Sequence, residues 1–131
     1  MRTVILLILL TLSIQAELKY QNDYKTALEE AKKDNKYLFV LITIKNCRWC
    51  KKLKRTTLNE QEIKENLAKG YIAVELDRDS SDYPKSIEVE GVPTVFIIDP
   101  KSGDIIRDIV GFRKDKNDYL KWFRYVENIE E

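Results

Sequence analysis

The chain has 131 residues, 44% hydrophobic and 34% charged, a length and balance that suit one domain with a packed core and a solvated surface. Lysine and arginine number 23 against 22 acidic residues, so the net charge of +1 gives nucleic acid no basic excess to bind. Two cysteines and no histidine exclude hydrolases that use an imidazole base, and exclude histidine-ligated zinc and haem.

Residues 1–16 combine one positive charge at Arg2, an apolar run from Val4 to Leu12 and a small residue at Ala16, the pattern of a secretory signal peptide. Cleavage after Ala16 is expected, although Ile14 is bulky for its place. The run is short for a hydrocarbon core, which needs about twenty residues, so an uncleaved anchor is the weaker reading. Loss of Arg2 with the leader leaves 22 basic against 22 acidic residues in a domain spanning residues 17–131.

Asp23 is placed as the N-cap of a helix reaching about Lys33, with Tyr24, Ala27, Leu28 and Ala31 on one face and Asp34-Asn35 as its stop. The unbroken apolar run Tyr37 to Ile44 predicts a central strand buried on both sides. A helix from near Cys47 to about Thr57 follows. A second is predicted behind it, with Asn59 as cap, Glu62 completing a capping box, Ile63 and Leu67 facing inward, and Gly70 as terminator. Tyr71 to Leu76 is a strand, and Asp77 to Ser86 a polar connection. Thr94 to Ile98 is a buried strand, joined through the turn Asp99–Gly103 to a partner running Asp104 to Val110. A last helix covers about Asp115 to Asn128, with Tyr119, Leu120, Phe123 and Val126 toward the sheet. Tyr119, Trp122 and Tyr125 read as helix core before they read as a partner surface.

That order predicts an α/β domain in which a mixed sheet carries helices on both faces. Cys47-Arg48-Trp49-Cys50 then falls between a buried strand and a helix start. A cysteine there meets unsatisfied N–H groups and the positive end of the helix dipole, which favour the thiolate that attacks disulfides. Cys47 is therefore the expected nucleophile, its pKa lowered, and Cys50 the resolving thiol one turn on. Three other readings compete. A disulfide three residues apart closes too small a loop to staple a fold well. A zinc site needs four ligands, so it would have to be shared between two chains. A bare CxxC can also arise by chance.

The strand–CxxC–helix order, followed by Val92-Pro93-Thr94, resembles the thioredoxin superfamily over nearly the whole mature chain. Within it, the sequence is similar to periplasmic thioredoxin-related reductases. These include the C-terminal domain of the Dsb transmembrane electron conductor and the thioredoxin-like proteins of sulfur oxidation and cytochrome c maturation. The resemblance implies a cis Pro93 lying against the disulfide, a Val92 backbone that pairs with an extended substrate segment, and a Gly111 that keeps the groove open. Trp49 is assigned either to the substrate surface or to covering the helix start. Two positions depart from the family. The buried aspartate that assists the second cysteine is Leu41, leaving Glu75 or Asp77 as substitutes, and the tryptophan before the first cysteine is Asn46.

The expected activity is that of a periplasmic thiol–disulfide oxidoreductase, a reductase because Arg48-Trp49 offers no histidine to stabilise a thiolate. Its expected partners are protein disulfides and a membrane-embedded or soluble thiol electron donor, with no nucleic acid, cofactor or metal. A monomer is expected. The alternatives are a Dsb-type oxidase or isomerase and a non-catalytic binding module using the Val92-Pro93 groove.

Overall fold

In the computed structural model, which describes residues 18–130, the strand Tyr37–Thr43 (β1) is buried at every residue except Tyr37, and the rest of the fold is arranged around it. Its neighbours are Tyr71–Asp77 (β2), which is parallel to it, and Thr94–Ile98 (β3), which is antiparallel. Ile105–Val110 (β4) extends the sheet beyond β3, giving the order β2-β1-β3-β4. The predicted leader at residues 1–16 and its cleavage point lie outside the described residues.

Alternation along β1 sorts two cores. Leu38, Val40 and Ile42 point to one face, where Tyr24, Ala27 and Ala31 of the helix Tyr24–Asp34 (α1) cover them. Phe39 and Leu41 point to the other. There they meet side chains of the helices Arg48–Arg55 (α2), Gln61–Gly70 (α3) and Asn117–Ile129 (α4). Phe39 is the hub of that second core, with the rings of Tyr20, Tyr71, Tyr119 and Phe123 all 6.1–6.5 Å from its own.

The first helix follows the sequence closely. The Asp23 carboxylate accepts from Thr26 N–H at 2.8 Å, and Asn35 ends the helix at φ 52°. The region after β1 departs from expectation in three ways. The helix that follows stops at Arg55, since Thr56 leaves helical geometry and Thr57 opens a 3-10 turn, Thr57–Asn59. The Thr57 hydroxyl donates to Arg113 C=O at 2.7 Å, so a tertiary contact replaces the last helical turn. Glu60, with no capping bond from its side chain, is the N-cap of α3 in place of Asn59. Glu62 pairs with Lys116 at 2.9 Å, so the capping box does not form. Gly70 is itself helical, and Tyr71 passes straight into β2 without a left-handed cap.

Three phenols of the second core, on Tyr20, Tyr71 and Tyr119, are buried without a hydrogen-bond partner among the described residues, and burial pushes each well above the ordinary tyrosine value. They stay neutral and act as packing. Truncating their hub should be costly. Phe39→Ala is expected to lower stability by about 3–5 kcal/mol in urea unfolding followed by far-ultraviolet circular dichroism. A loss below about 1 kcal/mol would mean that the cluster does not organise the core.

Candidate active site

Strand β1 ends at Thr43, and a turn at Lys45-Asn46 redirects the chain into α2. The turn needs a left-handed residue, and Asn46 supplies it at φ 57°. Asparagine tolerates that region far better than a bulky aromatic side chain, which accounts for asparagine where the family resemblance expects tryptophan.

Cys47 follows as the N-cap of α2, its backbone extended at φ −83° and ψ 105°. Its Sγ accepts from Cys50 N–H at 3.2 Å, so a sulfur fills the place usually taken by a serine or aspartate oxygen. The two cysteines form a disulfide, with Cα atoms 5.3 Å apart. Their surroundings differ sharply. Cys50 is 2% exposed in the core end of the helix, whereas Cys47 is only partly covered.

On one side of the disulfide lies an open cavity of about 430 Å³, lined by both cysteines and by Lys54, Glu75 and Asp77 among others. Glu75 is the direct register partner of Leu41 across the β1–β2 pair, so it projects from the same face one strand away. Lys54 Nζ holds its carboxylate at 2.6 and 3.1 Å. Asp77 is differently engaged. Hydrogen bonds from Asp79 N–H at 2.9 Å and Ser80 N–H at 3.1 Å keep its carboxyl below the ordinary value, with Lys45 adding to the effect. Its oxygens are thus committed to the turn after β2. Tyr20, pushed up first by burial and then by the Glu75 carboxylate, adds no charge.

At the same end of the sheet, just before Thr94, which pairs with Ile42 of β1, Val92-Pro93 is a cis peptide. The bend is held by Thr94 Oγ1 donating to Gly91 C=O at 2.6 Å and by Gly111 N–H donating to Pro93 C=O at 2.8 Å. Gly111 takes φ 83°, a conformation that disfavours a side chain even though nothing stands within 4 Å of where a Cβ would lie. The Val92 N–H and C=O pair with no other backbone group among the described residues. Pro93 is buried and Val92 half-buried.

Trp49 is 48% exposed and leans on Phe112, the ring centroids 5.5 Å apart. Lys52 Nζ stands 5.1 Å from both centroids. Sequence reasoning named Glu75 but not Lys54 as its partner, and it did not find Phe112. Lys54 and Glu75 lie 21 residues apart, and only the register of β1 against β2 reveals that they meet. Of the aromatic residues on α4, Tyr119 is fully buried, Trp122 partly so with Arg107 4.4 Å above its ring, and Tyr125 is 48% exposed. Two further clefts, around Asn35–Tyr37 at the opposite end of β1, contain no cysteine.

Known proteins resemble this arrangement. The solution structure of a thioredoxin from Thermus thermophilus superposes with a TM-score of 0.70 at 20% identity, covering 84% of this chain and 88% of that one. The DsbH oxidoreductase gives 0.67 at 24% identity, covering 84% of each. The oxidised C-terminal domain of Neisseria meningitidis DsbD gives 0.61 at 21%, covering 82% of this chain and 98% of that one. At such identities these likenesses establish the fold. Anterior gradient protein 3 of Mus musculus is 28% identical over 95 residues, 72% of this chain and 57% of its own length. The Xenopus tropicalis protein of that name is 27% identical over 84 residues, 64% of this chain and 51% of its own. The chain thus spans a little over half the length of these curated relatives. A family model described as thioredoxin-like matches residues 19–100, well over half of the chain. With the Cys47–Cys50 disulfide at the start of α2, the protein therefore belongs to the thioredoxin-like family.

Proposed function

We propose that the protein is an exported reductase of protein disulfides, with residues 1–16 as a cleaved signal peptide and residues 17–131 as the working domain. The observation that carries the redox assignment is the unequal exposure of the two sulfur-bearing residues, Cys47 reachable at the helix start and Cys50 shielded at 2%. An attacking thiol must reach its substrate, and a resolving thiol must reach only its neighbour.

In the reduced enzyme the Cys47 thiolate attacks one sulfur of the substrate disulfide. A new Cys47–substrate bond forms, the substrate disulfide breaks, and the first substrate sulfur leaves as a thiolate that takes a proton. Cys50 then gives its proton to Glu75, which Lys54 holds in the shared cavity. The Cys50 thiolate attacks Cys47 Sγ and expels the second substrate thiolate. Two electrons have passed to the substrate, and the enzyme is left with the disulfide seen here. A thiol electron donor must restore the dithiol. During the reaction the unpaired Val92 backbone groups bind an extended substrate segment, Pro93 and Gly111 shape its groove, and Trp49 forms a wall. The Leu41 site stays apolar, and Glu75 on the next strand does the work of a carboxylate there. The export reading is supported by the leader pattern and by likeness to Dsb-type domains.

As a reductase, the protein should have a Cys47–Cys50 standard potential near that of thioredoxin, about −270 mV, when equilibrated with glutathione, and should reduce insulin with dithiothreitol unless Cys47 is serine. A potential near −120 mV would reverse the direction of electron flow. Cys50→Ser should trap substrate as a stable mixed disulfide on Cys47. Glu75→Gln should slow release of the same species roughly 10- to 100-fold in rapid-quench experiments, with Cys47 attack unchanged. Unaltered release would remove Glu75 from the mechanism. Mass spectrometry of the protein produced with its leader in a Gram-negative host should find Glu17 as the mature terminus in the periplasmic fraction. An intact Met1 would contradict export by cleavage.

A further inference from the structure

A charge asymmetry hidden by the near-neutral total surrounds the disulfide. Residues 35–59 contain seven lysines and arginines and no acidic residue. Lys54 is paired with Glu75, Lys45 faces Asp77, and Lys36 Nζ donates to Ala68 C=O at the far end of β1. Four cations on α2 remain, Arg48, Lys51, Lys52 and Arg55, all exposed and without an ion-pair partner among the described residues. Arg48, Lys52 and Arg55 recur at helical spacing and form one stripe, with Lys51 beside it.

The stripe runs along the Trp49–Phe112 pair. Lys52 Nζ lies 5.1 Å from each ring centroid, and Arg48 Cζ lies 5.8 Å from that of Trp49. Thr57 Oγ1 donates to Arg113 C=O at 2.7 Å, which locks the segment following Phe112 against the end of α2 and adds two exposed cations, Arg113 and Lys114. The nearest carboxylate along that segment, Asp115, is occupied by Asn117 N–H at 2.9 Å. A row of like charges on one short helix repels itself, which the ring contacts of Arg48 and Lys52 and the last-turn places of Lys52 and Arg55 offset only in part. Beside an exposed tryptophan and a half-covered sulfur, it matches an anionic partner that brings an apolar side chain with it.

We propose that this basic, aromatic face is the docking surface for acidic segments of partner proteins. It would select disulfides flanked by aspartate or glutamate, with an apolar neighbour laid on Trp49. The inference rests on the redox reading of Cys47 and Cys50 and names its substrate class. A protein partner fits better than a nucleic acid, because the patch borders the sulfurs and not a groove that follows a phosphate backbone.

The test uses the processed protein, reduced beforehand, and three peptides of equal length with one internal disulfide each. One is acidic around its cysteines, one neutral and one basic. Reduction of the acidic peptide should be about 10-fold faster than that of the neutral one at about 20 mM salt, and the gap should close at about 200 mM. Arg48→Glu/Lys52→Glu should invert the ratio of acidic to basic rates, a ratio in which altered reactivity of Cys47 cancels. Arg55→Glu, two turns from the sulfur, should lower the same ratio severalfold. Equal rates for all three peptides would overturn the docking proposal and leave the reductase intact. No reduction of any peptide would instead sink the redox reading. Competition by a short single-stranded oligonucleotide as strong as that by a disulfide-free acidic peptide would also overturn it, by assigning the patch to polyanions in general.

Discussion

A single hydrogen bond organises the working end of this molecule, that from Cys50 N–H to Cys47 Sγ. It makes the first cysteine a cap and the second a core residue of the same helix, so one short segment fixes how far each sulfur stands from solvent. The cap in turn depends on the left-handed Asn46, which lets the chain leave β1 and enter α2 within a few residues. Strand, turn, cap and helix therefore form one unit. Its rigidity comes from β1, whose burial on both faces leaves it nowhere to move.

The two faces of β1 serve different ends. The face under α1 is packed mostly with aliphatic side chains, joined by Tyr24 and Phe96, and the Val92 side chain rests against it. The opposite face carries the aromatic hub around Phe39 and, at its cysteine end, becomes polar. Glu75 on β2 and Lys54 on α2 meet there as a half-exposed ion pair, worth little as a stabilising contact in such a position. It lines the same cavity as both cysteines. Leu41 keeps the core under the helix dry, so the ionisable group is displaced by one strand and stays accessible to water.

Much of this was legible in the sequence because the strongest signals are local. Continuous apolar runs marked β1 and β3, Asp23 and Asn35 bounded α1, and the period of Tyr119, Leu120, Phe123 and Val126 named the buried face of α4. The site was legible as far as its cysteines and Pro93, which sit in recognisable order. What escaped depends on contacts across the fold. Thr57 ends a helical stretch because its hydroxyl finds Arg113 C=O 56 residues away, and Glu62 forsakes a capping box for Lys116. The Phe112 ring, to which the sequence reading assigns no role, meets Trp49 only once the sheet is folded.

The sheet also has two margins, and each is closed in its own way. Outside β2, Gln21 forms an isolated parallel bridge, its N–H donating to Ala73 C=O at 2.9 Å and its C=O accepting from Glu75 N–H at 2.8 Å. Outside β3, the last strand β4 turns charged side chains, Arg107 and Asp108, to the solvent. Unprotected strand margins are templates for pairing with other chains. A domain whose groove is open to extended segments would be exposed to that hazard along its full length. Besides those margins, the Val92 N–H and C=O have no backbone partner among the described residues, so under the proposed function a foreign strand would be taken up there and not along the edges.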